Sequence, residues 1–334
     1  MPKVETHLHL EGSIQPATLL EIARRNQVEI PARDVAGVEQ LFKYQSFHEF
    51  LTVFMALARV LVRGEDFEQI AYELGHHLAD QQVRYAEVMI SPRQHSYRGI
   101  DLNEVVQGAA AGFAKAQRER GIGVNLAFDY GRQFGTEEAW PLLECAIGNQ
   151  HNTLVAWSIG GDERHFPPEP FAELFAAAKQ AGLHVMAHAG EVVGPASVWG
   201  AVDVLGAERI GHGVRSVDDP ALLTHLRERG VVLDVCPTSN LRTGAVASLA
   251  AHPFRRLFNA GLTLTVNTDD PVFFATTLND EYRLLAGSFG FTAEELTTLA
   301  LNAAHASFLP DEQRAMLSGQ MQSDIAALRA ELDL

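Results

Sequence analysis

The sequence predicts a single (β/α)8 barrel of the TIM type spanning residues 1–334, with extra helices in the first crossover and at the C-terminus. Three observations carry that prediction. Eight short apolar or β-branched runs recur along the chain, stretches with helical spacing separate most neighbours, and polar residues stand at the ends of the runs. A length of 334 residues is long for an ordinary domain and normal for one barrel. An open doubly wound sheet would usually carry a glycine-rich phosphate turn after its first strand, and this chain has His7-Leu8-His9-Leu10-Glu11-Gly12 there.

The first expected strand runs from Val4 to His9. The crossover after it is interrupted by residues 31 to 66, where Phe47-His48-Glu49-Phe50-Leu51-Thr52-Val53-Phe54-Met55 reads either as an apolar lid over the barrel mouth or as an outer helix packed on the barrel. Further strands are expected at Val83 to Ser91, Val124 to Tyr130 and Leu154 to Gly160. The helical stretch Phe171 to Lys179 then leads to His184 to His188 and Arg209 to His212. Leu222 to Arg227 is again helical, and Val231 to Cys236 and Leu262 to Thr268 complete the eight. Residues 292 to 334 read as terminal helices, charged on one side and apolar on the other. No linker, low-complexity tract or repeat divides the chain.

Composition narrows the function classes. With 26 basic and 42 acidic residues, a formal charge of −16 repels phosphate backbones and offers no basic stripe for nucleic acid or anionic lipid. A small-molecule partner is expected, with no nucleic acid and no membrane. Two cysteines, Cys145 and Cys236, are too few for a disulfide framework and fit a reducing compartment. The N-terminus turns polar at once, and no run of 18 apolar residues occurs. A cytoplasmic protein is expected; its oligomeric state is not legible.

In a barrel, residues at the C-terminal strand ends converge on one mouth. There stand His7 and His9, Ser91, Asp129, Gly161-Asp162, His188 with Glu191, His212, Asn240 and Asp269-Asp270. His7 and His9 lie two apart on a strand, so both point to one face with Cα atoms roughly 6.5 to 7 Å apart, within reach of one metal. Each candidate also has a plain structural reading. His188 could be a satisfied core histidine, Gly211-His212-Gly213 a turn, and Asp269-Asp270-Pro271 a helix cap with proline at the first position. Five ligand types at one mouth favour the metal reading. Zinc takes imidazole nitrogens at about 2.0 to 2.1 Å, keeps a position open for water in catalytic sites, and lowers the pKa of that water to about 7. Attack on an aromatic C–N carbon also needs an acid and a base beside the metal, roles that Glu191 and His212 could fill, with Asp270 as a second carboxylate.

The segments Pro2 to Ser13, His188-Ala189-Gly190-Glu191, Gly211-His212-Gly213, Cys236-Pro237-Thr238-Ser239-Asn240 and Asn267-Thr268-Asp269-Asp270-Pro271 together resemble adenosine deaminases, in order and over nearly the whole chain. The resemblance implies one zinc per chain held by His7, His9, His188 and Asp269. It further implies His212 as the group that orients or deprotonates the water, Glu191 as the acid for purine N1, Asp270 as the partner of N7 and the Gly161 backbone as the partner of N3. Leu51 and Phe54 fall where the family lines its apolar lid. The product would be an inosine-type purine plus ammonia.

Three departures bear on the substrate. Glu11 stands where the family usually has an Asp facing the ribose 5′-hydroxyl. Ser158 replaces an Asp that often supports the catalytic histidine. Thr6 replaces an apolar residue and is expected to point away from the metal by strand alternation. Glu11 also resembles relatives acting on adenine or aminodeoxyfutalosine, whereas Leu241 to Val246 resembles the nucleoside enzymes. The expected substrates are therefore ordered adenosine or 2′-deoxyadenosine, then aminodeoxyfutalosine, then adenine. Two other classes fit less well. A non-catalytic zinc-binding relative would be expected to lack Glu191, His212 or Asp270, and two-metal barrel hydrolases commonly carry a bridging lysine on strand four, which residues 154 to 161 do not contain.

Overall fold

Eight strands run parallel in strict chain order in the computed structural model, which describes residues 1–44 and 46–332. They are β1 Lys3–His9, β2 Val83–Ile90, β3 Gly123–Gly131, β4 Leu154–Gly160, β5 His184–Ala189, β6 Arg209–His212, β7 Val232–Val235 and β8 Thr263–Val266. Each expected strand is present with its ends moved by at most two residues. The sheet closes into the predicted (β/α)8 barrel, because β8 returns to β1 through His9 N–H to the Asp269 carbonyl (2.8 Å) and Asp269 N–H to the His7 carbonyl (3.2 Å). Between them the Asn267 side-chain oxygen accepts the N–H groups of Thr6 (2.9 Å) and His7 (3.1 Å). A side chain thus replaces part of the backbone ladder at the seam, and it fixes the strand that carries the first two histidines.

The outer helices begin and end where local chemistry dictates. Asp219 caps Pro220–Arg229 by accepting from Ala221 and Leu222, with Pro220 at the first position and left-handed Gly230 at the end. Thr292 and Glu295 form a reciprocal capping box at the start of Ala293–Ala306. This helix and Asp311–Glu331 are the expected terminal helices, and residues 333 and 334 lie outside the described range.

Large apolar side chains pack between strands and helices, but the barrel interior is partly polar. Arg209 on β6 crosses it to Glu87 on β2 (2.6 Å), bonds Asp234 on β7 (3.0 Å), and covers the ring of Phe308 (3.9 Å). All three charged residues are buried, and each charge has an opposite partner, as burial requires. Thr6 belongs to this network through Asp234 (2.9 Å). It points away from the histidine cluster as expected, although alternation is not the whole reason: register shifts between Glu5 and Leu8 break the regular pleat.

The interrupted first crossover contains the helices Val35–Leu41, Phe47–Ala58 and Gly64–Asp80. Phe47–Ala58, capped by Ser46, takes the lid position. Phe50 and Phe54 pack on Phe273 and Phe274 from the loop after β8, and the Phe54 ring lies 6.4 Å from that of His9. Among the described residues no helix is long and apolar enough to cross a membrane.

Candidate active site

The C-terminal ends of the strands gather every metal and catalytic residue that the sequence singled out. Donor atoms of His7, His188, His212 and Asp269 lie within 4.8 Å of one another, and so do those of His9, Asp269 and Asp270, and of His9, Asp129 and His188. Asp269 Oδ1 stands 3.4 Å from His7 Nε2 and 3.3 Å from His9 Nε2. Both ring nitrogens of His7 and Nδ1 of His9 are buried without a hydrogen-bond partner among the described residues. Buried imidazole nitrogens left unpaired are costly unless something else satisfies them, and three imidazoles with one carboxylate match what zinc takes. The donor set fits the ion.

Backbone geometry shows how closely the site is built. His212 (φ +64) and Asp269 (φ +67) adopt the left-handed conformation, which costs a non-glycine residue about 1 to 3 kcal/mol and persists where the surroundings enforce it. Gly211 is needed beneath the cluster, because a Cβ there would sit 2.6 Å from His7 Cε1. Gly12 is needed for the same reason, since its Cβ would meet Asp270 Oδ1 at 1.8 Å.

The residues expected as acid and base stand side by side, with Glu191 Oε2 3.7 Å from His212 Nε2. Burial first, then the negative charges of Asp269 and Glu163, push the Glu191 carboxyl well above its usual range. Burial likewise drives His212 well below its usual value, so the pair is poised as neutral acid and neutral base. Asn240 bonds His212 Nδ1 (3.1 Å) and fixes the ring. Asp270, raised by burial and by Asp269, leaves Oδ1 unpartnered in the cavity wall.

Leu51, Phe54 and Gly161 line the same cavity as the reactive groups. Glu11 is placed differently. It is buried, its Oε1 accepts from Ser91 N–H (3.0 Å) and pairs with His95 Nε2 (2.8 Å), and it is not among the lining residues. His95 carried no role in the sequence reading.

Two carboxylates at the mouth had no role assigned from the sequence. Asp129 on β3 stands 3.3 Å from His188 Nδ1 and accepts from the Ser158 hydroxyl (2.6 Å), so Ser158 orients a carboxylate on the neighbouring strand that faces His188. Burial alone would raise Asp129, but the adjacent His188 holds it well below the usual range. Its place at the end of an apolar strand was the available signal. Glu163, in the loop after β4, accepts the backbone N–H groups of Gly190, Glu191 (3.2 Å), Val192 (2.9 Å) and Val193 (3.2 Å), and so cradles the turn that presents Glu191. No residue pattern announces that contact, because its partners are main-chain groups.

A closed parallel barrel with histidines and carboxylates at its C-terminal mouth defines a metal-dependent hydrolase of the amidohydrolase type. The chain belongs to the adenosine deaminase family, whose model matches residues 2–323. It is 35% identical over 314 residues to the adenine deaminase of Acinetobacter baylyi, covering 94% of each chain. It is 36% identical over 329 residues to the aminodeoxyfutalosine deaminase of Streptomyces avermitilis, covering 98% of this chain and 92% of that one. An amidohydrolase from Burkholderia ambifaria, solved with bound zinc, superposes with a TM-score of 0.92 at 30% identity, over 100% of this chain and 93% of the other. The chain is accordingly a zinc-dependent hydrolase of this family.

Proposed function

We propose that this hydrolase removes the 6-amino group of an adenine carried on an N9 substituent, with aminodeoxyfutalosine, the substrate named for the Streptomyces relative, as the first choice. The carrying observation is the lining of the cavity. Glu191, His212, Asp270 and Gly161 line it together with Ser91, Arg93, Gln94 and Phe134, a wider set of polar and aromatic groups than the contacts of a bare purine ring require. Adenosine, ranked first from sequence, gives way because neither curated relative above carries its name.

Zinc held by His7, His9, His188 and Asp269 would supply a nucleophilic water at neutral pH. The remaining chemistry falls to the chain's own side chains. Glu191, kept protonated, delivers its proton to N1 as water adds to C6. His212, kept neutral, accepts a proton from that water. Asp270, held protonated, donates to N7, and the Gly161 backbone faces N3. Return of a proton to the amino group expels ammonia, leaving the 6-oxo purine, so one water is consumed for each ammonia released. Phe54 and Leu51 cover the site and exclude bulk water.

Free adenine is the second reading, favoured by Glu11. Its Oε1 is held by Ser91 and His95 and it does not line the cavity, which speaks against a contact with a ribose 5′-hydroxyl, and the Acinetobacter relative is named for adenine. Comparison of kcat/KM for aminodeoxyfutalosine, adenosine and adenine tests both. Aminodeoxyfutalosine is expected to rank first; turnover of adenine alone would sink the N9-substituted reading.

A further inference from the structure

We propose that Arg93 forms an anion subsite in the wall of the reaction cavity, reading a carboxylate or phosphate on the distal end of the N9 substituent. This rests on the reading that the substrate carries such a substituent. Arg93 is the only arginine or lysine among the described residues lining the cavity, whose wall otherwise carries five carboxylates, Asp129, Glu163, Glu191, Asp269 and Asp270. Apart from the metal site, this guanidinium is the fixed cation of an acidic cavity on a chain of net charge −16, so away from the metal a ligand anion gains electrostatic energy beside it.

The guanidinium is also held in position. Pro92 starts the short helix Pro92–Ser96 directly after β2, which brings Arg93 to the barrel mouth. Its guanidinium carbon lies 5.1 Å from the ring centre of Tyr97 and 5.0 Å from that of Phe134, a cavity-lining residue. Its Nε bonds Glu138, and its two terminal nitrogens have no hydrogen-bond partner among the described residues. Aromatic contacts and one anchored nitrogen restrict the side chain while leaving N–H groups to grip a planar or tetrahedral anion bidentately. The Arg93 side chain is 19% exposed whereas Glu138 is 52% exposed. Water screens the half-exposed carboxylate more than the largely covered guanidinium, so Glu138 orients Arg93 without cancelling it.

The test compares kcat/KM for adenosine, adenosine 5′-monophosphate and adenosine-5′-carboxylate in the zinc-loaded wild type, R93Q, R93K and E138Q. The anionic-to-neutral ratio is expected to fall about 10- to 100-fold in R93Q, the worth of a hydrogen-bonded charge pair. It should fall less in R93K, which keeps the charge and loses the fork, and rise in E138Q. A higher wild-type ratio for the carboxylate or for the phosphate tells which anion the subsite takes. An unchanged ratio in R93Q, with adenosine still deaminated, overturns the subsite and spares the reading beneath it. Deamination of adenine with no turnover of any N9-substituted compound overturns both. If R93Q does not fold, a ratio in E138Q and R93K equal to wild type overturns the subsite by itself.

Discussion

Replacing Glu163 with Gln removes one negative charge and one acceptor from a carboxylate that binds four main-chain N–H groups. Oε1 accepts from Gly190, and Oε2 accepts from Glu191, Val192 and Val193. An amide has a single acceptor oxygen. Its better orientation keeps the three bonds at the Oε2 position and turns an NH2 group against the Gly190 N–H. A hydrogen bond to a charged group is worth roughly 1.5 to 3 kcal/mol and a neutral one roughly 0.5 to 1.5. One bond lost, and three weakened by about 1 to 1.5 kcal/mol each, therefore amount to a stability loss of about 4.5 to 7.5 kcal/mol, readable by urea unfolding. The kinetic effect is separate. The turn carries Glu191, and a displacement of about 1 Å at a proton donor costs on the order of 10²-fold in rate. Charge supplies a further readout, because Glu163 helps to raise the Glu191 carboxyl. Activity that needs protonated Glu191 is lost as pH rises through its pKa, so removing the Glu163 charge lowers that pKa and moves the alkaline limb of kcat/KM to lower pH. A variant that loses stability but keeps wild-type kcat/KM and an unmoved alkaline limb would refute the cradle as a catalytic positioning device.

Other outcomes follow from the same geometry. Glu191→Gln should retain zinc, measured by metal analysis, and lose turnover by about 10²- to 10⁴-fold; a fully active variant would remove Glu191 as the acid. His9→Ala should bind markedly less zinc after dialysis against a weak chelator, and full occupancy would contradict its assignment as a ligand. Gly12→Ala should be nearly inactive, because its Cβ would meet Asp270 Oδ1 at 1.8 Å; wild-type kinetics would show that Asp270 can move freely. Glu281 is fully buried, and burial raises its carboxyl to about 7 against the bonds from Thr238 and Thr276. A raised carboxyl keeps its proton in the folded state, so its contribution falls as pH rises from about 4.5 through 7. Glu281→Gln should therefore gain stability relative to wild type between pH 5 and pH 8, by up to about 3 kcal/mol, and a difference independent of pH would show that Glu281 does not titrate there.

The ligand types could be read from sequence because strand ends in a parallel barrel share one mouth, so His7, His9, His188, His212 and Asp269 needed only their strand positions to be brought together. The lid was legible more weakly. An aromatic helix in the first crossover packs on the outside or over the mouth with the same pattern, and only its contacts with Phe273 and Phe274 distinguish the two. The bond from Ser158 to Asp129 was not legible, since it is a contact across the sheet between strands far apart in sequence. The contact of Glu11 Oε1 with His95, far along the chain, was likewise not legible in the sequence.

What the sequence by itself determined is the periodic part: eight strands in order, a closed parallel barrel, and ligand residue types at strand ends with the acid and base among them. Strand alternation and helical spacing are local properties of the chain, so a local reading reaches them. The tertiary structure alone decided which carboxylate faces which histidine, how the turn bearing Glu191 is held by Glu163, that Glu11 meets His95, and that Arg93 lines the same cavity as Glu191. Each depends on pairs of groups distant in sequence, and the partner is often a main-chain N–H that every residue but proline carries and no sequence pattern marks.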